Sequence, residues 1–320
     1  MTIAKATLRR QITDAIVDGI NSTGTLPWDK PWNSMAGFSN LPCNHVTGRQ
    51  YNGINVLLLW SAANANGYST NRWMTYKQAS ELGIKPPKGG TMIVFNTQIV
   101  TPEEQQAAEA EDRDPKKIWI IKPYWVWNID QLGVSAPEAK PLPAAETNRR
   151  AESIIANSNA DFRAELGSDE AYYNRQGDFI VVPTIAQYDN PEDYYRVAMH
   201  ELVHWTGAEH RLNRVKGRRF GDKDYAFEEL VAEMGSAFSC GGIGLEYSTR
   251  HTAYIKSWVS VLKNDEKAIF RAAALASKAS DMLLAFEDDE PEEVVDLSGW
   301  TSVYDNASSV DLSGWTSVYA

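Results

Sequence analysis

The stretch His200-Glu201-Leu202-Val203-His204 decides how this chain is read. It has the form H-E-x-x-H. Tyr195, Val197, Met199, Leu202 and Val203 give it an apolar face, and Gly207 ends the run. The segment is therefore expected to be a helix that starts near Pro191, with Asn190 as its cap. Residues four apart lie one above the other on a helix, so His200 and His204 present two imidazoles to one ion. Glu201 is offset by one residue, where it reaches a water beside the ion without being a ligand. Two ligating imidazoles, a proton-accepting carboxylate and a polarising cation are the parts of a metal-dependent hydrolase. An amphipathic helix with incidental histidines is the bland alternative. Against it, three of the chain's five histidines fall between positions 200 and 210.

A third ligand is needed, and two residues offer themselves. The run His200 to His210 satisfies the letter of the metzincin pattern H-E-x-x-H-x-x-G-x-x-H, with Gly207 turning the chain and His210 returning to the ion. The other candidate is Glu229, in Tyr225-Ala-Phe-Glu-Glu-Leu-Val-Ala-Glu233. That segment has helical periodicity and places Glu229 and Glu233 on one face. A ligating Glu followed four residues later by an acid is the second-helix pattern of thermolysin-like zincins, where the later acid orients a ligand histidine. Glu229 is the stronger candidate. The metzincin pattern also asks for a methionine turn, and Met234 falls inside a helical run.

At 320 residues two domains are expected, and 43% hydrophobic residues with 11% aromatics suffice for buried cores. A net charge of −11 excludes a generally basic nucleic-acid binder. The charge is uneven, however. Residues 1–100 carry nine Lys and Arg against four Asp and Glu, a balance of +5, so the remainder carries −16. A basic end and an acidic end imply different partners, and the acidic end favours a basic substrate segment. Cys43 and Cys240 are too few for a disulfide framework and lack zinc-knuckle neighbours. Met1 to Ile20 is polar and amphipathic, unlike a signal peptide. The apolar run Val56 to Ala63 is too short to span a membrane. A cytoplasmic protein without a membrane partner is expected.

Along residues 1–135 the pattern is an amphipathic helix over 7–19, a stiff loop holding Trp28 and Trp32, and a glycine-bearing loop with Arg49 and Tyr51. A helix over 55–66 follows, then a short strand at Arg72-Trp-Met-Thr75. Next come a helix over Tyr76 to Leu82, capped by Thr75 and stopped by Gly83, a basic loop over 85–90 and a strand over 91–100. An acidic, exposed insertion at 102–114 precedes a β-prone run over 117–129. Trp28, Trp32, Tyr51 and Trp73 interleave with Lys30, Arg49, Arg72 and Lys88, the mixture that holds single-stranded nucleic acid by stacking and charge. The same aromatics also suit a core. Residues 136–145 form a Pro/Ala linker. Residues 146–286 open with a helix over 146–156, then a hairpin over 172–183 turning at Gln176-Gly177. Its strand Phe179 to Val182 is expected to offer an edge to an extended substrate. Helices near 191–206, 224–239, 252–264 and 266–286 complete this part. In the tail, residues 287–320, an acidic spacer precedes Val295–Tyr304, which recurs identically as Val310–Tyr319. Two copies do not make a solenoid. The tail is expected to be disordered or an introduced addition.

Taken together, residues 5–285 resemble the ArdC-type antirestriction proteins of conjugative plasmids. The likeness rests on Pro31-Trp32, Val46 to Leu59, Arg72-Trp73 with Thr75-Tyr76, and Lys85-Pro-Pro-Lys-Gly. In the second half it rests on Tyr172-Tyr173, Asp178 to Pro183, His200 to Gly207, Arg211 to Arg214 and Tyr225 to Glu233. The resemblance implies an α+β chain: a small N-terminal α+β domain that binds single-stranded DNA, then a zincin-like metallopeptidase domain with helices packed on a small sheet. It implies protection of incoming plasmid DNA from host restriction during conjugation, with Glu229 as third ligand. The family carries a histidine directly after the glycine, where this chain has Ala208, so His210 is a departure. Zinc is the expected metal, and manganese or cobalt also suit two nitrogens and a carboxylate. Single-stranded DNA and a host protein, as peptidase substrate, are the expected partners. The alternative is a DNA-occluding protein whose metal site is only structural. Glu201 separates the two, since a structural site closes with four protein ligands and has no use for a base.

Overall fold

Leu8–Thr23 forms the first helix, α1, because Ile12, Ile16, Val17 and Ile20 recur at three- and four-residue spacing and are all buried. The computed structural model describes residues 7–23, 26–28, 40–136, 142–214, 223–247 and 255–287. Lys30, Trp32 and the duplicated tail lie outside the described residues. Contacts divide the chain into two units, Met1–Glu287 and Asp288–Ala320, and all described residues belong to the first.

The N-terminal half builds a four-stranded sheet. Its elements are β1 (Cys43–Asn44), α2 (Ile54–Asn66), β2 (Arg72–Thr75), α3 (Tyr76–Glu81), β3 (Thr91–Ile99), α4 (Pro102–Ala110), β4 (Ile118–Asn128) and α5 (Ile129–Leu132). Strand order is β1-β2-β4-β3, with β1–β2 parallel and the other pairs antiparallel. The acidic insertion is helical because Thr101 accepts from the Glu104 amide and Pro102 occupies the first turn. Thr75 and Gln78 cap α3 reciprocally. Leu59 and Ala63 of α2 cover Trp73, Ile93 and Val126 on one face of the sheet. On the outer edge of β3, Asn55 Nδ2 donates to Val94 O at 2.8 Å, and the Val94 amide donates to Asn55 Oδ1 at 2.9 Å. One side chain thus occupies ladder positions that would otherwise stay open.

The second half comprises α6 (Ala144–Asn157), β5 (Asp161–Glu165), β6 (Tyr172–Asn174), β7 (Phe179–Pro183), a 3-10 turn at Ile185–Gln187, α7 (Pro191–Thr206), α8 (Lys223–Ile243), α9 (Ile255–Asn264) and α10 (Ala268–Leu284). Asn190 Oδ1 accepts from the Glu192 amide, so α7 starts where its cap and Pro191 require. The three-stranded sheet has the order β5-β7-β6. This corrects the reading of Phe179 to Val182 as an edge. β7 is the central strand, paired in parallel with β5 and antiparallel with β6. Its ladder groups are already taken, and the free edges belong to β5 and β6. β5 (Asp-Phe-Arg-Ala-Glu) escapes a sequence reading because Phe162 is its one large apolar residue.

The two halves share their apolar interior. Trp60 meets Phe238 of α8 edge-on at 5.6 Å, and Gly241 lies so close to the Trp60 ring that a Cβ would stand 3.3 Å from it. The Gly53 amide donates to Ser277 Oγ on α10 at 2.7 Å. Trp28 is 2% exposed and packs against Trp258 of α9 at 6.2 Å, and Trp73 is fully buried beneath α2. Neither ring has a face open to a base. Both are core residues, contrary to the stacking role expected from their spacing with cations.

Candidate metal centre

α7 and α8 pack side by side because Gly235 admits Val203: a Cβ at 235 would stand 2.9 Å from a Val203 methyl. This close approach brings Glu229 of α8 onto the histidine face of α7. His200, His204 and Glu229 each offer one ligand atom, and these atoms lie within 4.8 Å of one another. Both Nε2 atoms face the same carboxylate: His200 to Glu229 Oε2 at 3.6 Å, His204 to Glu229 Oε1 at 3.4 Å. The imidazoles are edge-on, 4.9 Å apart.

The outer ring nitrogens face two further carboxylates. His200 Nδ1 is 3.3 Å from Glu233 Oε2, and His204 Nδ1 is 3.3 Å from Glu228 Oε1. Such partners hold the proton on Nδ1 and leave Nε2 lone pairs converging on one point. Glu233 stands where helical spacing from Glu229 places it. It also hydrogen-bonds the buried Tyr247 phenol, whose pKa burial and the Glu233 charge push well up. Glu228 was missed by sequence reasoning, which stopped at the Glu229–Glu233 pair. No local signal marks it, because its partner Arg214 meets it only in the fold. Arg214 Nη2 donates to Glu228 Oε1 at 2.9 Å and Nη1 donates to Thr206 Oγ1 at 2.8 Å, while the guanidinium also holds the Val203 carbonyl.

Electrostatics follow from this packing. Burial disfavours imidazolium at both histidines, yet the carboxylates outweigh it. Hydrogen bonds donated to Glu229 and Glu233 raise His200 well above the ordinary range, and those donated to Glu228 and Glu229 raise His204 to about 9. Burial pushes Glu229 up, but the two imidazoles overcome it and depress its pKa strongly. A donor set of two imidazoles and a carboxylate that is this anxious for positive charge fits a divalent cation. Glu201, only 7% exposed, lies beside His200 on α7 and adds to the field that raises it.

His210 does not join this group. Its side chain is 64% exposed and its Nε2 is 3.3 Å from Asp178 Oδ2, in a surface cluster organised by Arg211. Arg211 lies over the Trp205 ring at 3.9 Å and donates to Asp178, whose pKa that hydrogen bond lowers to about 2. Of the residues expected to meet DNA, Arg49 and Lys88 are exposed, while Tyr51 and Arg72 are half-buried. Among the described residues no helix is long and apolar enough to cross a membrane.

Comparison with known proteins covers both halves. Residues 6–127 match the N-terminal domain of anti-restriction factor ArdC, and residues 149–275 match a zincin-like metallopeptidase family. An uncharacterized protein, y4eC, of Sinorhizobium fredii (strain NBRC 101917 / NGR234) is 34% identical over 87% of this chain and 92% of its own. The DNA primase TraC of Escherichia coli is 34% identical over 92% of this chain, which spans only 28% of that longer protein. The crystal structure of the metal-free antirestriction ArdC protein from the R388 plasmid superposes with a TM-score of 0.71 at 36% identity, covering 88% of this chain and 98% of that one. Its Mn(II)-bound form gives 0.72 at 34% identity, over 89% and 100%. With both halves matched, and solved relatives covered almost from end to end, this chain belongs to the ArdC family of antirestriction proteins.

Proposed function

We propose that this protein binds single-stranded DNA through its N-terminal half, carries a metal-dependent peptidase centre in its C-terminal half, and protects incoming plasmid DNA from host restriction during conjugation. The observation that carries the peptidase reading is the convergence of His200 Nε2 and His204 Nε2 on Glu229, with a carboxylate behind each ring. His200, His204 and Glu229 would hold one divalent ion. Zinc is the expected occupant, and manganese suits the same donors, in keeping with the Mn(II)-bound R388 relative. When bound, such an ion acidifies water and polarises a peptide carbonyl.

The chain's own residues supply the rest. Glu201 accepts the proton of the attacking water and passes it to the leaving amine. Glu233 and Glu228 keep the two imidazoles turned, and Arg214 keeps Glu228 in place. Three protein donors leave a coordination position for substrate, as a catalytic site requires and a structural one does not. The substrate is an extended segment of a host protein, met in the cytoplasm where the DNA enters.

Cleavage of a quenched-fluorescent peptide library by metal-loaded protein tests this. Glu201→Gln should keep metal content and melting temperature, and lose on the order of 10²–10⁴ in rate. Undiminished cleavage by that variant would refute the assignment. In a conjugation assay, full protection by Glu201→Gln would mean that DNA occlusion alone suffices, with the metal serving the fold.

A further inference from the structure

Three aromatic rings of the N-terminal half, Tyr76, Trp125 and Trp127, meet on one face of β4. Trp125 and Trp127 are two residues apart on a strand, so they project from the same face about 6.6 Å apart. Met74 pairs opposite Trp127. Tyr76, two residues beyond Met74, places its ring edge-on to Trp127 at 5.9 Å. Tyr76 is 49% exposed and Trp125 is 52% exposed, values unusual for rings of this size in a folded sheet.

The central ring is held rigidly. Trp127 Nε1 donates to Pro87 O at 2.8 Å, and Gly90 lies so close beneath the indole that a Cβ there would come within 2.8 Å of it. Only a glycine permits this contact, and it fastens the loop 85–90 beside the rings. That loop carries Lys85 and Lys88, both exposed. Between residues 72 and 92 the cations are Arg72, Lys77, Lys85 and Lys88, against Glu81 alone, which pairs with Lys77 at 3.8 Å.

We propose that Tyr76, Trp127 and Trp125 are the base-stacking platform for single-stranded DNA, with Lys85 and Lys88 meeting its phosphates. This rests on the reading that the N-terminal half binds single-stranded DNA, and it says where. Every base has a stackable face once it leaves a duplex, so a pinned indole between two open rings binds with little sequence preference. Duplex DNA keeps those faces covered. A second pair, Phe95 and Tyr124, projects from the opposite face of the hairpin. The two pack edge-on against each other at 5.1 Å and lack the lysine loop.

The test measures affinity of the full chain for a fluorescein-labelled oligothymidylate. Trp125→Ala and Tyr76→Ala should each weaken binding roughly 5- to 150-fold at unchanged melting temperature. The double change Lys85→Gln with Lys88→Gln should flatten the log-affinity against log-salt slope by about 1.4. Phe95→Ala and Tyr124→Ala should leave binding as it was. Trp125→Leu guards against misfolding, since it keeps apolar bulk and removes the stackable ring. If the unaltered protein does not bind the oligonucleotide, the parent reading fails. If it binds, and Trp125→Ala, Trp125→Leu and Tyr76→Ala bind equally well, the platform is wrong while the parent reading stands. Loss confined to the Phe95 and Tyr124 variants moves the site to the other face and also overturns the proposal.

Discussion

Two groups of aromatic and charged residues stand in this chain, and burial separates them in opposite ways. At the α7–α8 contact, two imidazoles are buried or nearly so and each meets two carboxylates: His200 with Glu229 and Glu233, His204 with Glu228 and Glu229. On the N-terminal sheet, large rings stay in water: Tyr76, Trp125, Tyr124 and Phe95 are all about half exposed. Buried charge without a partner is costly, and so is apolar surface left open. The first group shows that cost offset inside the fold. The second leaves it open, which is what a surface awaiting a ligand does. Other aromatics of the same sheet, such as Trp73, are ordinary core.

The largest effect that can break this contrast is at Trp73. Trp73→Ala should cost about 3–5 kcal/mol of stability, whereas Trp125→Ala should shift it by less than about 0.5 kcal/mol. Denaturant titration of the two variants decides the matter. If Trp73→Ala melts with the parent and loses only DNA affinity, the division into core and surface rings is wrong.

The next largest concerns protons at the buried cluster. His204 is raised to about 9 from an ordinary value of 6.5. Without metal, its imidazolium contributes stability that is complete below pH 6.5 and is lost as pH rises through about 9. A metal ion needs the neutral ring, so binding must expel that proton. His200 is raised as well, so apparent metal affinity should climb with pH by up to about tenfold per unit for each imidazole proton expelled, and flatten above the raised pKa values. Calorimetric metal titration in two buffers of different ionisation enthalpy should show proton release. A pH-independent affinity would exclude these imidazoles as ligands.

Glu228→Gln sharpens the comparison at a smaller scale. It removes the charge that holds His204 Nδ1 and leaves Arg214 without its carboxylate. Metal affinity should fall about 10- to 100-fold, read by competition with a chromogenic chelator. Smallest of all, His210→Ala should leave metal content unchanged and alter stability by less than about 0.5 kcal/mol. Loss of metal in that variant, with retention in Glu229→Ala, would restore the metzincin-like ligand set.

The site was more legible than the surface, for a physical reason. Helical geometry is local, so H-E-x-x-H and the spacing from Glu229 to Glu233 place side chains on a face before any tertiary contact is known. Glu228 points about 100° round the helix from Glu229, and its purpose appears only once Arg214 and His204 are beside it. The strand pattern of 91–100 and 117–129 was likewise plain from β-prone runs. Which of their rings face inward depends on where α2 lies, and this is why Trp73 reads like Trp125 in one dimension. β5 has a single large apolar residue to announce it, and its parallel partner β7 lies beyond the β6 hairpin. The central position of β7, and with it the loss of the expected substrate edge, follows from that unseen neighbour.

The interior shared between the halves has a consequence for synthesis. The Gly53 amide waits for Ser277, a partner 224 residues further along the chain. Trp60 likewise waits for Phe238 and Gly241. At about 5–20 residues per second, the ribosome needs roughly 11–45 s to deliver Ser277 after Gly53. Through that interval the apolar side of α2 lacks its cover from α10, and for most of it from α8 as well. The nascent first half therefore leaves the exit tunnel with Leu57 and Trp60 exposed, a natural client for a chaperone that binds apolar segments.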